Sequence, residues 1–202
     1  MIDPKAEELG WTISKDDDEN LVTFITPKFS GAGLAENPKV ISATKEPYWK
    51  RMAGHENVIP GSLRWKVFGI VAAHGGLEEL EALVDLWKNS FNEGEQYPAL
   101  ECLGRSTNAE LVKWALSYLL TDAVKNHGMF YLTWLAGGTA QGSIELWEWA
   151  QENLERIEKE VLVDIASLFL GTALEGLHTQ EQIEDVKAFF CRARYEKSPY
   201  GP

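Results

Sequence analysis

Glu101 is the first residue whose type and setting could do chemistry. It stands in "ALECLGR" at 99–105, on a helix flank that is otherwise apolar. A carboxylate so placed is either a functional acid or base, whose neutral form an apolar setting favours, or a surface charge. His127, in "KNHGMFYLTW" at 125–134, titrates near neutral pH and offers either proton exchange or a cap at a helix start. Aromatic residues accompany both. Of eight tryptophans, Trp87, Trp114 and Trp147 fall in apolar stripes and read as core. Trp65, Trp134 and Trp149, with Tyr97 and Tyr131, fit the stripes less neatly and are candidate substrate-binding residues lining a cavity. Rings attract cations through their quadrupoles, so aromatic faces beside a carboxylic acid suit a hydrophobic substrate that develops positive charge. The chemistry to expect is metal-free acid/base work with Glu101 and His127 as catalytic residues: cyclisation, isomerisation, or epoxide opening on a natural-product-like small molecule.

Other candidates carry less. His74 and His178 sit beside helix-ending signals, Asp122 reads as a helix terminator or cap, and Asp164 and Glu148 as solvated or paired charges. His55-Glu56 begins like a His-Glu-x-x-His zinc motif, but Ile59 stands where the second histidine is needed. No metal site and no cofactor are expected. The glycines of "GGTAQG" at 137–142 lack a preceding strand, so they read as a helix–helix turn rather than a phosphate loop. Spacing supports no Ser-His-Asp or Cys-His pairing, and Cys102 and Cys191 read as small core residues.

The elements that must position these groups are helices. Leu111, Trp114, Ala115, Tyr118 and Leu119 recur at helical spacing, as do Leu77, Leu80, Val84 and Trp87. Trp147, Ala150, Leu154 and Ile157 make a third stripe, and Val161, Ile165 and Leu168 a fourth. Capping-box spacing at Thr107–Glu110 and Thr179–Gln182, and Asn37 before Pro38, mark helix starts. The pattern predicts helices near 37–53, 60–74, 77–92, 95–104, 107–120, 128–136, 143–158, 160–173 and 179–195. Gly75-Gly76, Gly104, Gly137-Gly138 and Gly176 punctuate them, and joints this short make successive helices antiparallel neighbours. The expected fold is all-α: a HEAT- or armadillo-like α-solenoid of helix pairs forming a concave bowl, one domain over 1–202. Residues 1–35 are less regular, with Asp16-Asp17-Asp18-Glu19 as a solvated turn and Pro27 interrupting a helix, and 196–202 form a tail.

Composition narrows the partners. With 31 acidic against 19 basic residues the net charge is −12, which repels a nucleic-acid backbone. No run approaches the roughly 18 to 20 apolar residues of a membrane span. Two distant cysteines and no secretory signal at Met1 make a reduced, cytoplasmic setting the expectation. A homo-oligomer is compatible with the sequence.

Five ordered segments carry a family resemblance: "LGW" at 9–11, "IPGSLRWKVFGIVAAHGG" at 59–76, "ALECLGRSTNAELVKWALSYLLTDAV" at 99–124, "LWEWAQENLERI" at 146–157 and "HTQEQIEDVKAFF" at 178–190. Over roughly residues 2–192 the chain resembles the C-terminal helical domain of the zinc aminopeptidases that include aminopeptidase N, puromycin-sensitive aminopeptidase and the endoplasmic-reticulum aminopeptidases, fungal members above all. The resemblance implies a helical bowl that closes over a zinc catalytic domain, shapes the substrate cavity and touches the distal part of the peptide. The zinc-binding and amine-binding sequences belong to an upstream domain in that family; "GAGLAEN" at 31–37 only looks like the latter.

Departures from the family pattern point elsewhere. Glu101 stands where the family usually has arginine, and His127-Gly128 where it has a Gln-Asp pair. Gly137 and Ile25 also replace arginines common in the family. The family continues through further helix where this chain ends at "CRARYEKSPYGP", which favours an independent small protein. Three functions follow as expectations: a repurposed acid/base enzyme on a hydrophobic small molecule, a non-catalytic module binding a peptide or protein, or an isolated aminopeptidase domain.

Overall fold

The computed structural model describes residues 37–121, 124 and 126–196. The readings at Asp16–Glu19, Ile25, Pro27, residues 31–36, Asp122 and the tail after 196 lie outside these, as do the side chains of His127 and Tyr131. Among the described residues the secondary structure is helical throughout. The helices are α1 (Pro38–Met52), α2 (Gly61–His74), α3 (Leu77–Asn89), α4 (Glu93–Cys102), a 3-10 turn (Leu103–Arg105), α5 (Ala109–Leu116), α6 (Asn126–Gly137), α7 (Ala140–Glu160), α8 (Val163–Glu175) and α9 (Gln180–Glu196).

Pairs α1/α2, α3/α4 and α7/α8 pack side by side, while α2, α4, α6 and α8 follow one another as a continuous layer. This is the solenoid-like, all-α arrangement that the short joints imply. The core runs along that layer through Phe68, Leu100, Leu132 and Phe169, joined by Leu103 of the 3-10 turn and Leu146 of α7, each at most 2% exposed. One joint needs a glycine on steric grounds. At Gly104 a Cβ would lie 2.5 Å from the Leu132 carbonyl oxygen and 2.7 Å from the Ala136 nitrogen, so α6 crosses directly against the 3-10 turn.

Helix starts follow local chemistry. The Asn37 side chain accepts from the Lys39 and Val40 amides at 2.9 and 3.3 Å with Pro38 behind it. Thr179 and Gln182 form the expected reciprocal cap, at 3.2 and 2.9 Å. Thr139 accepts from the Gly142 amide at 2.9 Å, so "GGTAQG" is the turn that starts α7, three residues before the predicted boundary.

Four readings are corrected. Asn108, not Thr107, caps α5, accepting from the Glu110 and Leu111 amides, while Thr107 Oγ1 donates to the Ala73 carbonyl at 3.1 Å. The helix expected to reach 120 ends at Leu116. Beyond it the chain tightens into turns whose carbonyls at Trp114 and Tyr118 are taken by the Ser117 and Thr121 hydroxyls. The stripe Val161–Ile165–Leu168 fails at Leu168, because Val161 is extended (φ −106°, ψ 140°) and α8 starts two residues later. Val161 is buried and Ile165 packs against the core, but Leu168 is 46% exposed while Phe169, Thr172 and Ala173 are buried. Cys191 is exposed on α9, whereas Cys102 is buried.

Candidate functional site

The sequence candidates that the fold brings together are Trp65, on α2, and Glu101, on α4, where those two helices of the layer pack. Cys102 Sγ donates to the Trp65 carbonyl at 3.5 Å, which fixes α4 against the middle of α2. One turn beyond Trp65, Gly69 leaves room for the Arg105 side chain; a Cβ there would stand 3.1 Å from Arg105 Cδ. The guanidinium, held in that space, lies with its Cζ 4.3 Å from the centre of the Trp65 ring. Lys66 Nζ lies 4.1 Å from the same ring centre. Two cations therefore share one indole, which attracts both while they repel each other.

Glu101 completes the cluster one helical turn before Arg105. Its burial pushes the carboxyl above the ordinary carboxylate range; the Trp65 side chain and the Arg105 charge pull it back in part. Lys66 is pushed down, first by burial and then by Arg105. Arg105 Nε is buried and makes no hydrogen bond. The formal charges, two positive and one negative, leave a net positive site in an acidic protein. Such a site can hold an anion or the carboxylate end of a chain, with the indole as a flat apolar floor.

The remaining sequence candidates are spread over α4, α6, α7 and α8. Tyr97 precedes Glu101 by one turn of α4 and is 42% exposed. Trp134, on α6, is 57% exposed. Trp149 sits on α7, partly buried, with its ring edge-on to Phe169 at 5.6 Å. The backbones of His127 and Tyr131 lie in the first two turns of α6. Asp164 lies in the first turn of α8 and Glu148 is half exposed, 3.6 Å from Lys113. Ile59, in the place of a second zinc-motif histidine, is packed in the core at 2% exposure. Among the described residues no three His, Cys, Asp or Glu side chains are grouped to hold a metal ion, and no described helix is long and apolar enough to cross a membrane.

Lys66 and Arg105 were not singled out by sequence reasoning, although a signal existed. "RWK" at 64–66 flanks the tryptophan with cations, and Glu101 with Arg105 has i, i+4 spacing.

Comparison with known proteins settles the lineage of this framework. The chain matches the family described as ERAP1-like C-terminal domain over residues 1–199. It belongs to that family. Relatives include the alanine/arginine aminopeptidase of Saccharomyces cerevisiae, 31% identical over 191 residues, which are 93% of this chain and 22% of the relative. Aminopeptidase 2 of Candida albicans is 28% identical over 200 residues, 95% of this chain and 21% of the relative. Aminopeptidase M1-B of Oryza sativa subsp. japonica is 27% identical over 112 residues, 55% of this chain and 13% of the relative. The chain thus spans about a fifth of the length of its fungal aminopeptidase relatives. As an ERAP1-like C-terminal domain it carries the helical framework of an aminopeptidase, and the Trp65 cluster lies on the layer-forming helices of that framework.

Proposed function

We propose that this chain serves as a substrate-cavity domain of aminopeptidase type, one that holds the distal end of a peptide. The observation that carries the reading is the convergence of Lys66 and Arg105 on the Trp65 ring beside a half-buried Glu101. A peptide's terminal carboxylate would replace water on the two cations, and its last side chain would lie on the indole. Arg105 is suited to a bidentate grip on a carboxylate, and Lys66 adds a point charge. Glu101 would oppose an anion when ionised and interfere less when protonated, so its raised titration would loosen the site as pH rises. The work done is binding and positioning, while bond cleavage would belong to a zinc-bearing domain of the kind the family resemblance implies. A cytoplasmic setting fits this reading.

Equilibrium binding tests it. A nonapeptide with a free terminal carboxylate is expected to bind about tenfold or more tightly than its amidated form, since one charge-assisted bidentate pair is lost. Arg105→Ala should abolish that preference. Equal affinity of acid and amide would refute it.

A second reading rests on one specific observation, the upward-shifted Glu101 carboxyl beside an aromatic ring. In its protonated form Glu101 would act as general acid toward a strained oxygen of a hydrophobic small molecule, with Trp65 facing the developing cation. Glu101→Gln should then abolish turnover of an aryl epoxide probe; unchanged turnover, or none in the parent protein, defeats this reading.

A further inference from the structure

Lys66 differs from every other lysine among the described residues: the others are exposed, and it alone is partly buried. It sits on α2, which packs against α4 and the 3-10 turn. Its Nζ lies 4.1 Å from the Trp65 ring centre, and Arg105 Cζ lies 4.3 Å from the same point, so the two cations are within about 8 Å of each other. The charges that act on the amine are those of Arg105, which opposes its proton, and of Cys102, whose burial keeps the thiol protonated. Glu101 acts on Trp65 and Arg105 instead. Lys50 and Lys113, by contrast, hold carboxylates: Glu46 at 2.6 Å for the first, Glu145 and Glu148 at 3.1 and 3.6 Å for the second.

An amine that is part-desolvated, faces an aromatic ring and stands near a second cation gives up its proton readily, and the neutral form is the nucleophile. Burial and then Arg105 push Lys66 in that direction. Arg105 supplies the other half of a site, since its Nε is buried without a hydrogen bond and its side chain is part-exposed. An amine attacks a carbonyl carbon from about 3 Å, and a carboxylate rests about 2.8 Å from a guanidinium N–H. Both contacts fit between Lys66 Nζ and Arg105 when the carbonyl carbon is bonded directly to the carboxyl carbon. A short 2-oxo acid has that arrangement.

We infer that Lys66 is an imine-forming amine that captures a short 2-oxo acid, with the carboxylate of the acid on Arg105 and its carbonyl carbon at Lys66 Nζ. The neutral amine forms a C–N bond to the carbonyl carbon, and the C=O π electrons pass to the oxygen. That oxygen takes one proton from the nitrogen by way of solvent, then leaves as water with the second nitrogen proton as the C=N bond forms. Nothing is oxidised or reduced, and no co-reactant is consumed. The inference rests on the peptide-end reading only for the anion contact at Arg105.

The test treats the 202-residue chain at neutral pH with glyoxylate and cyanoborohydride, which reduces the imine to a stable carboxymethyl amine, and maps the adducts by peptide mass spectrometry. Lys66 should be trapped about tenfold or more faster than Lys50 or Lys113, and with saturation, as befits an anchored electrophile. Acetaldehyde, which lacks the carboxylate, should lose that preference for Lys66, a comparison made on the parent protein alone. Arg105→Ala should slow glyoxylate trapping at Lys66 about tenfold. Trapping of Lys66 no faster than of Lys50 and Lys113, the same preference with acetaldehyde as with glyoxylate, or indifference to Arg105→Ala overturns the inference. If the acid-over-amide preference of the nonapeptide persists in that event, the imine chemistry alone falls and the peptide-end reading stands.

Discussion

Glu95 provides the sharpest energetic prediction. Its carboxylate is almost fully buried and engages Arg51 at both oxygens, with Arg64 at ion-pair distance. Glu95→Gln strands two guanidiniums, of which Arg51 is 11% and Arg64 17% exposed. Removing one partner of a buried pair costs about 3–5 kcal/mol, and the slight exposure of both arginines puts the cost near the lower end, about 3 kcal/mol. For a chain of this size that lowers the unfolding midpoint by about 6–12 °C. The Arg51 hydrogen bond, helped by both arginine charges, holds Glu95 below the ordinary carboxylate value of about 4.3 against an opposing effect of burial. Its stabilisation is therefore present above that value and is lost as pH falls from it toward the lowered folded value. Calorimetry of the parent, Glu95→Gln, Arg51→Ala and the double variant between pH 3 and 7 checks both claims. A coupling above about 1.5 kcal/mol at pH 7 and a flattened acid limb in Glu95→Gln are expected. Additive single variants, or an acid limb that Glu95→Gln leaves intact, would mean that Glu95 and Arg51 are not coupled in this way.

Glu101 runs the other way. Burial raises its folded value, so the folded state loses stability as pH rises from the ordinary carboxylate value to the raised one. Glu101→Gln should remove that slope and change stability by less than about 1 kcal/mol, since the group is only half-buried, as urea titrations at pH 4 and 7 would reveal. Gly104→Ala, with its Cβ pressed on the α6 backbone, should cost more than about 2 kcal/mol. Gly171→Ala, in an exposed stretch of α8 with nothing within 4 Å, should stabilise by about 0.5–1 kcal/mol. Thermal melts of the pair that move in the same direction would contradict the close approach at the 3-10 turn.

Helix positions were legible because apolar spacing and caps act locally. Asn37-Pro38 and Thr179–Gln182 needed no tertiary information. Thr107 misled for a physical reason: its hydroxyl found the Ala73 carbonyl on α2, a long-range partner invisible to spacing, and left Asn108 to cap. The face of α8 depended on whether Val161 continues the helix, and its extended backbone shifts the phase. Glu101 and Trp65 were readable as unusual residues, whereas their meeting depends on how α2 and α4 pack. The buried charge at Glu95 gave no signal, because an acid in the first turn of a helix reads as ordinary macrodipole pairing.

The proposed role of Trp65, with Lys66 and Arg105 both near its ring, is to receive the carboxylate end of a peptide. Titration of the chain with a nonapeptide acid while following the tryptophan indole N–H signals by NMR tests it directly. A saturable shift of the Trp65 indole is expected, with binding about tenfold weaker for the peptide amide, and a still signal from the Trp147 indole, which donates to Asp185 at 2.8 Å from within the core. Shifts of Trp65 that are identical for acid and amide, or absent while other indoles respond, would contradict it.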